Sequence, residues 1–402
     1  MLSQSDTPLI DAIQRASQSV RAPFFFPGHK MGEGAPAPLR EAVLGGAAGR
    51  TAPLRSDLPE LPELDNLFSA EGPIHEAQQL ASEAFGARST HFLINGSTGG
   101  VIPRNAHKSA LHALVTSGAA PVWLDSRWDA AQQLVLDADV GASLPSLLER
   151  HGGEIAAVLL VSPTYHGVLS DVEAASRLCR AAGVPLIAGE RTPCVVAHGS
   201  HLGMAPGLPR PALSRGADLV IQSSHKTLGA MTQAAMLHIS ADCPLPHGAA
   251  PRALEALELV QSSSPSYLLL ASLDAARWQY ADADARRDTA AAIALAQQAR
   301  RRLSQLPGAL IERHGVYCEL PELRHLTFAF SLGTTQGDVD LLAVGRLSAE
   351  LVCSYPPGIP VFFPGEPITA EALQHIRALR AAGADVCGCS DASLARLCVV
   401  AE

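Results

Sequence analysis

Between Gly72 and Ile239 short apolar runs alternate with stretches of helical period, and few folds accommodate that alternation. Its clearest member is Ala156 to Ser162, an unbroken apolar run. A run this short, without the in-and-out pattern of a half-solvated strand, reads as a strand covered on both faces. The next element is a helix. Ser170 or Asp171 can cap it, Val172, Ala175, Cys179 and Ala182 recur at helical spacing, and Gly183 can end it. Val184 to Ala188 and Asp218 to Gln222 return as strands. Upstream, a helix carrying Ile74, Ala77, Leu80, Ala81 and Ala84 leads into a strand over His91 to Ile94. Strands and helices in turn imply a parallel sheet with helices packed on it.

The flanks read differently. Residues 1–71 are rich in Pro and Gly and predict a short helix near Leu9 to Val20 followed by extended loops, a segment suited to wrapping a partner. The large α/β domain then occupies 72–250. The remainder, 251–402, opens with helical stretches at Arg252 to Val260 and Asp288 to Leu306 and continues as a smaller α+β unit. In that unit Leu326 to Leu332 alternates as a strand would. Asp338 to Glu350 and Ala370 to Ala381 are helical, and Tyr355-Pro356-Pro357-Gly358 is a stiff loop.

Bulk properties exclude several classes of function. Of the 402 residues 47% are hydrophobic and 17% charged, enough apolar material for a large core and no case for disorder. A formal net charge of -9 argues against nucleic acid and anionic membrane surfaces, which demand clustered Lys and Arg. No run approaches the ~18 apolar residues of a spanning helix. Met1 to Val20 carries Asp6 and Asp11 in an amphipathic pattern and lacks the layout of a signal peptide, so the expectation is a cytoplasmic protein. Eight cysteines are too sparse for a disulfide framework, and Cys387 and Cys389 lack a second pair for zinc. His198 and His201 near Glu190 lack a clear third ligand, so no metal is expected.

Three segments can carry chemistry. Gly96-Ser97-Thr98-Gly99-Gly100 follows a strand, and its small residues let N–H groups and hydroxyls close around a phosphate, although such loops are more often plain turns. Ser223-Ser224-His225-Lys226-Thr227 leaves a strand at its carboxyl end, the edge where open α/β sheets hold ligands. A lysine there can condense with a carbonyl cofactor. Arg104-Asn105-Ala106-His107-Lys108-Ser109 packs bases, an amide and an imidazole together, and His107 can stack on a heteroaromatic ring.

Taken together, these segments resemble the Orn/Lys/Arg decarboxylase major-domain family, bacterial basic amino acid decarboxylases that use pyridoxal 5'-phosphate (PLP). The resemblance also rests on Pro27-Gly28-His29-Lys30, Asp57-Leu58-Pro59-Glu60, Leu64-Asp65-Asn66-Leu67, Ser162-Pro163-Thr164-Tyr165, Ser262 to Leu270, Tyr355 to Pro360 and Pro364-Gly365-Glu366. It implies an α/β fold of the fold-type I, aminotransferase type, with a mostly parallel sheet and a smaller C-terminal α+β domain. It implies Lys226 as the lysine that carries PLP, Ser97, Thr98, Ser223 and His225 as phosphate ligands, and His107 as the ring-stacking residue with a catalytic role. His198, in Ala197-His198-Gly199, counts with the cofactor site, while Glu366 and Tyr355 would sit near the substrate. A homodimer or higher homo-oligomer follows, and the product would be a polyamine or its precursor.

Two departures stand against that pattern. Gly189 occupies the place of the family's Asp, whose carboxylate holds the pyridine nitrogen protonated, and Arg191 to Val196 are inserted before Ala197. Gly100 also runs straight into Val101-Ile102-Pro103, leaving no room for the crossover helix that joins parallel strands. A catalytically impaired homologue acting as a partner subunit, or another fold-type I enzyme, are the competing readings.

Overall fold

The computed structural model describes residues 2–21, 23, 25, 27, 29–36, 52–94, 102–106, 108–131, 134–151, 153–164, 166–190, 208–241, 249–303, 320–321, 326–341, 352–355, 359–362, 367–391, 394 and 397. The chain divides into two compact units, Met1–Ala290 and Ala291–Glu402.

The first unit opens with helices α1 (Pro8–Ser19), α2 (Ala52–Arg55) and α3 (Pro73–Phe85), then strands β1 (Ser89–Leu93) and β2 (Ile102–Pro103). Next come α4 (Lys108–Ser117), strands β3 (Trp123–Leu124), β4 (Ser126–Asp129) and β5 (Leu134–Ala138), and α5 (Ser143–His151). Strand β6 (Val158–Val161), α6 (Val172–Ala181), β7 (Leu186–Glu190), β8 (Leu219–Gln222), the single turn α7 (Ser224–Thr227) and β9 (Ala235–Ile239) complete the sheet region. Helices α8 (Ala249–Val260), α9 (Tyr267–Ala281) and α10 (Ala283–Leu303) follow.

The central sheet has the order β1-β9-β8-β7-β6. Strands β6, β7 and β8 are parallel, with Val161 opposite Gly189 and Gly189 opposite Ile221. Strand β9 runs antiparallel to both β8 and β1. Four of the five strands therefore share one direction. This is the mostly parallel sheet expected; β9 is the exception because the β8-to-β9 connection holds only the one-turn α7, and a return this short closes an antiparallel pair.

Side-chain alternation sorts the sheet into two covered faces. On one, Leu160, Val172, Ala175, Cys179, Leu186, Ala188 and Val220 form a core with α6, while Phe92 and Met236 pack under α1, α3 and α9. On the other, Leu93, Leu219, Ile221, Ala235 and Leu237 gather with Leu257 of α8, and Leu159 meets Ala110 of α4. Burial on both faces explains the unbroken apolar runs of β6, β8 and β9. His238 is the polar exception within β9. Its Nδ1 lies 2.9 Å from Thr90 Oγ1, and burial, reinforced by His91, pushes its pKa down to about 3, so the ring stays neutral.

The helix of the first segment belongs to this chain's own core: Leu9, Ala12, Ile13 and Ala16 bury against α3 and α9. Its anchor is a fully buried ion pair on α9, Arg277 to Asp274 at 2.5 Å. Arg277 also donates to the carbonyls of Gln4 and Asp6, and Asp274 accepts from the backbone N–H of Leu9. Asp65, at φ +76, takes N–H donations from Glu71, Gly72 and Ile74 at the start of α3, and its carbonyl accepts from the Tyr267 hydroxyl. The Asp57 to Asn66 stretch thus holds the N-terminal segment to the helical layer.

Strands β10 (Leu320–Pro321) and β11 (Leu326–Thr327), helix α11 (Gln336–Leu341), strands β12 (Val352–Tyr355) and β13 (Ile359–Phe362), helix α12 (Ala370–Ala381) and β14 (Asp385–Cys387) make up the second unit with the end of α10. Its three-stranded antiparallel sheet has the order β13-β12-β14, with Val352, Phe362, Ile368, Leu373 and Ile376 as core. Only Leu326–Thr327 of the strand expected over Leu326 to Leu332 forms. It pairs with Leu320–Pro321, and Pro321 has no N–H to extend a ladder. Among the described residues no helix is long and apolar enough to cross a membrane.

Candidate active site

The carboxyl ends of β1, β6, β7 and β8 share one edge of the sheet, as their pairings require. Beyond that edge open α/β folds place their ligands. The chain leaves β8 through Ser223, which is buried, and turns once through α7. Lys226 N–H donates to the Ser223 carbonyl at 2.9 Å and Leu228 N–H to that of Ser224 at 2.7 Å, closing the turn. His225 is held twice by one acceptor. Its backbone N–H lies 3.1 Å and its ring Nδ1 2.9 Å from the carbonyl oxygen of Ala234, which leads into β9.

Beside this turn, β7 brings Gly189 to the same edge. Alternation places position 189 on the face of Ile187 and Ile221, and Ser162, the residue just after β6, donates its N–H to the Gly189 carbonyl at 3.2 Å. Ser162 Oγ in turn accepts from Ser170 N–H, and Thr164 Oγ1 accepts from Val168 N–H. Both side chains are buried, so the segment after β6 is a fixed wall rather than a loose loop.

Three of the residues expected from sequence, Ser223, His225 and Lys226, stand together on one turn at the sheet's carboxyl edge. Ser97, Thr98, His107, His198 and Glu366 lie outside the described residues. Ile94, just before the Gly96 loop, is buried beyond the end of β1, and α4 starts at Lys108, directly after His107. Tyr355 closes β12, opposite Asp385 of β14. Arg104 and Asn105, in the same motif as His107, have local partners: the Arg104 guanidinium sits 5.7 Å from the Trp123 ring centroid, and Asn105 donates to the Leu136 carbonyl. From the Pro27 motif, His29 pairs with Asp57 at 3.1 Å and Lys30 Nζ donates to the Phe25 carbonyl.

A sequence signal sharper than the motif around Lys226 is the scarcity of lysine. The chain has three lysines, Lys30, Lys108 and Lys226. Of these, Lys226 alone leaves the carboxyl end of a central strand.

The family model for the Orn/Lys/Arg decarboxylase major domain matches residues 7–332, and that for the C-terminal domain of the same family matches 335–391. The chain belongs to the Orn/Lys/Arg decarboxylase family. An arginine decarboxylase of Bacillus subtilis is 28% identical, with 100% of this chain and 99% of that protein aligned. That of Halalkalibacterium halodurans is likewise 28% identical over 100% and 99%. Among solved structures, lysine decarboxylase A from Pseudomonas aeruginosa superposes with a TM-score of 0.66 at 18% identity, covering 92% of this chain and 75% of its own. The constitutive lysine decarboxylase of Escherichia coli gives 0.62 at 17% identity, over 95% and 80%. These likenesses establish the fold-type I, α/β architecture.

This family member is short. The alignment with the Bacillus subtilis protein runs to 504 positions against 402 residues here, so roughly one hundred positions have no counterpart in this chain. Strand β1 ends at Leu93, and β2, which pairs with β3 in a separate two-stranded sheet, begins at Ile102, so eight residues join them, fewer than the dozen or more of a helical crossover.

PLP is the family's cofactor, and the described donors suit it. A primary amine, a buried hydroxyl and a fixed imidazole meet within four residues, as an aldehyde bearing a phosphate requires. The mismatch is at Gly189, which has no side chain to offer a ring nitrogen.

Proposed function

We propose that this chain decarboxylates a basic amino acid, arginine, lysine or ornithine, with PLP held at the carboxyl edge of the five-stranded sheet, giving a polyamine or its precursor. The observation that carries the reading is the Ser223 to Lys226 turn leaving β8, with the His225 ring fixed against Ala234. When bound, PLP supplies an electron sink for the pair left behind as CO2 departs. Lys226 anchors the cofactor and is placed to move a proton at the substrate Cα. Ser223 and His225, with Ser97 and Thr98, bind its phosphate. His107 stacks on its ring, His198 counts with the same cofactor site, and by the family resemblance Tyr355 and Glu366 belong near the substrate side chain. Assembly as a cytoplasmic homodimer or higher homo-oligomer belongs to this reading, since fold-type I sites are usually shared across a two-fold interface.

The test is CO2 release from purified protein supplied with PLP, compared across arginine, lysine, ornithine and several neutral amino acids. Arginine leads the panel because arginine decarboxylases align with this chain end to end. A basic substrate is expected to be preferred; turnover of a neutral amino acid alone overturns the reading.

Gly189 favours a second possibility, a homologue of reduced activity serving as a partner subunit. A buried carboxylate beside a pyridinium stabilises the charged form of the ring, and a charge-assisted hydrogen bond is worth about 1.5–3 kcal/mol. Position 190 belongs to the opposite face of β7, so Glu190 is no substitute without a one-residue slip. Gly189→Asp, combined with removal of Arg191 to Val196, is therefore expected to raise decarboxylation on the order of 10–100-fold and to tighten PLP retention. An unmodified chain already as fast as the repaired one contradicts this account.

A further inference from the structure

The double hold on His225 fixes more than the orientation of its ring. The Ala234 oxygen is a carbonyl, which can only accept, so the hydrogen between it and Nδ1 resides on Nδ1. A neutral imidazole carries one N–H. With that hydrogen committed, Nε2 is a bare acceptor, and a bare acceptor repels a phosphate oxygen.

Among the described residues no carboxylate is paired with the His225 ring, whose side-chain contact is the Ala234 carbonyl. From Thr227 to Leu237, covering the loop after α7 and the start of β9 on which α7 packs, the chain has no charged side chain. The titratable group of β9 is His238, which is bonded to Thr90 and held neutral. Helix α9, reached through the Met231 N–H to Ser272 hydroxyl bond, carries Asp274 and Arg277, but these pair with each other.

We propose, on the reading that this site takes PLP, that His225 binds the phosphate as an imidazolium, and that binding the cofactor draws one proton onto Nε2. The phosphate dianion is then both the partner that stabilises the charge and the acceptor for the new N–H. The aldehyde and the ring of the cofactor play no part in this, so pyridoxal, which lacks the phosphate, leaves His225 neutral.

Nitrogen-15 NMR of histidine-labelled protein at about pH 7.5, where an ordinary histidine is neutral, reads this directly. His225 is assigned by the signal lost in His225→Gln. The expected result is a single proton on Nδ1 without ligand, protons on both nitrogens with PLP, and one on Nδ1 again with pyridoxal. Calorimetry of the unmodified protein in two buffers of different ionisation enthalpy needs no variant. It should show PLP binding taking up about one proton more than pyridoxal binding, the phosphate itself being almost fully ionised at that pH. A holoprotein whose His225 stays singly protonated, or equal proton uptake for the two ligands, overturns the inference and leaves the functional reading standing. Failure to take up PLP at all overturns both.

Discussion

Lys226→Ala is expected to abolish retention of PLP through gel filtration and to lower decarboxylation by at least about a thousandfold. On the proposed function, two roles vanish with one amine. The first is the covalent anchor, without which the cofactor is held by its phosphate contacts alone. The second is proton transfer at the substrate carbon, which by itself typically contributes a factor of about 10²–10⁴. The fold should survive, because Lys226 is only partly buried and its backbone contribution, the N–H donated to Ser223, is independent of the side chain. Unfolding within about 1 kcal/mol of the parent is the control. The scarcity of lysine makes the companion experiment unusually clean. Borohydride reduction of the PLP-loaded protein followed by peptide mapping has three candidates, Lys30, Lys108 and Lys226. A label on Lys30 or Lys108, or full PLP retention by the alanine variant, refutes the assignment.

What the sequence made legible, and what it hid, follows from how each element is buried. Strands β6 and β8 declare themselves because both faces are covered, which forces an unbroken apolar run whose ends are plain. The turn after β8 was legible for the same reason: a Ser-Ser-His-Lys group is conspicuous when it follows four buried residues. The apolar run predicts a strand at Val184 to Ala188, and β7 forms at Leu186–Glu190. Pro185 contributes only its carbonyl, to Val158 N–H, so the ladder starts one residue beyond it. That shift matters, since it carries Gly189 into the sheet opposite Val161 and Ile221.

The sequence pattern does not announce helix α9. Its sequence buries Tyr267, Leu270, Leu273 and Ala276 together with Asp274 and Arg277, so charged residues sit where a helical apolar stripe should continue. A pattern read by hydrophobic period misses a helix whose core face carries an ion pair. Nor does composition announce that α1 belongs to the core of its own chain, because the polar groups that tie it down, the carbonyls of Gln4 and Asp6 and the Leu9 N–H, are backbone atoms.

That ion pair sets the second large effect. Asp274→Ala leaves Arg277 charged and fully buried, with the Gln4 and Asp6 carbonyls and the Gln4 side-chain oxygen as its remaining partners. Burial pushes the Asp274 carboxyl up, and Arg277, through its hydrogen bond and its charge, holds it down, so the ionised pair persists only as a pair. Removing one member of a buried pair typically costs about 3–5 kcal/mol. For a unit of this size that corresponds to a fall in melting temperature on the order of 5–10 °C. Arg277→Met should be comparably damaging, since it strands a buried carboxylate and frees the Gln4 and Asp6 carbonyls as well. Replacing both together, Asp274→Leu with Arg277→Met, removes both charges, so the double variant is expected to be more stable than either single one. Denaturant unfolding of the three proteins measures the coupling. The N-terminal segment supplies a second readout: α1 should open to protease in either single variant before the sheet unfolds. Single variants within about 1 kcal/mol of the parent would show that α1 is held by its apolar contacts alone and that the pair contributes little.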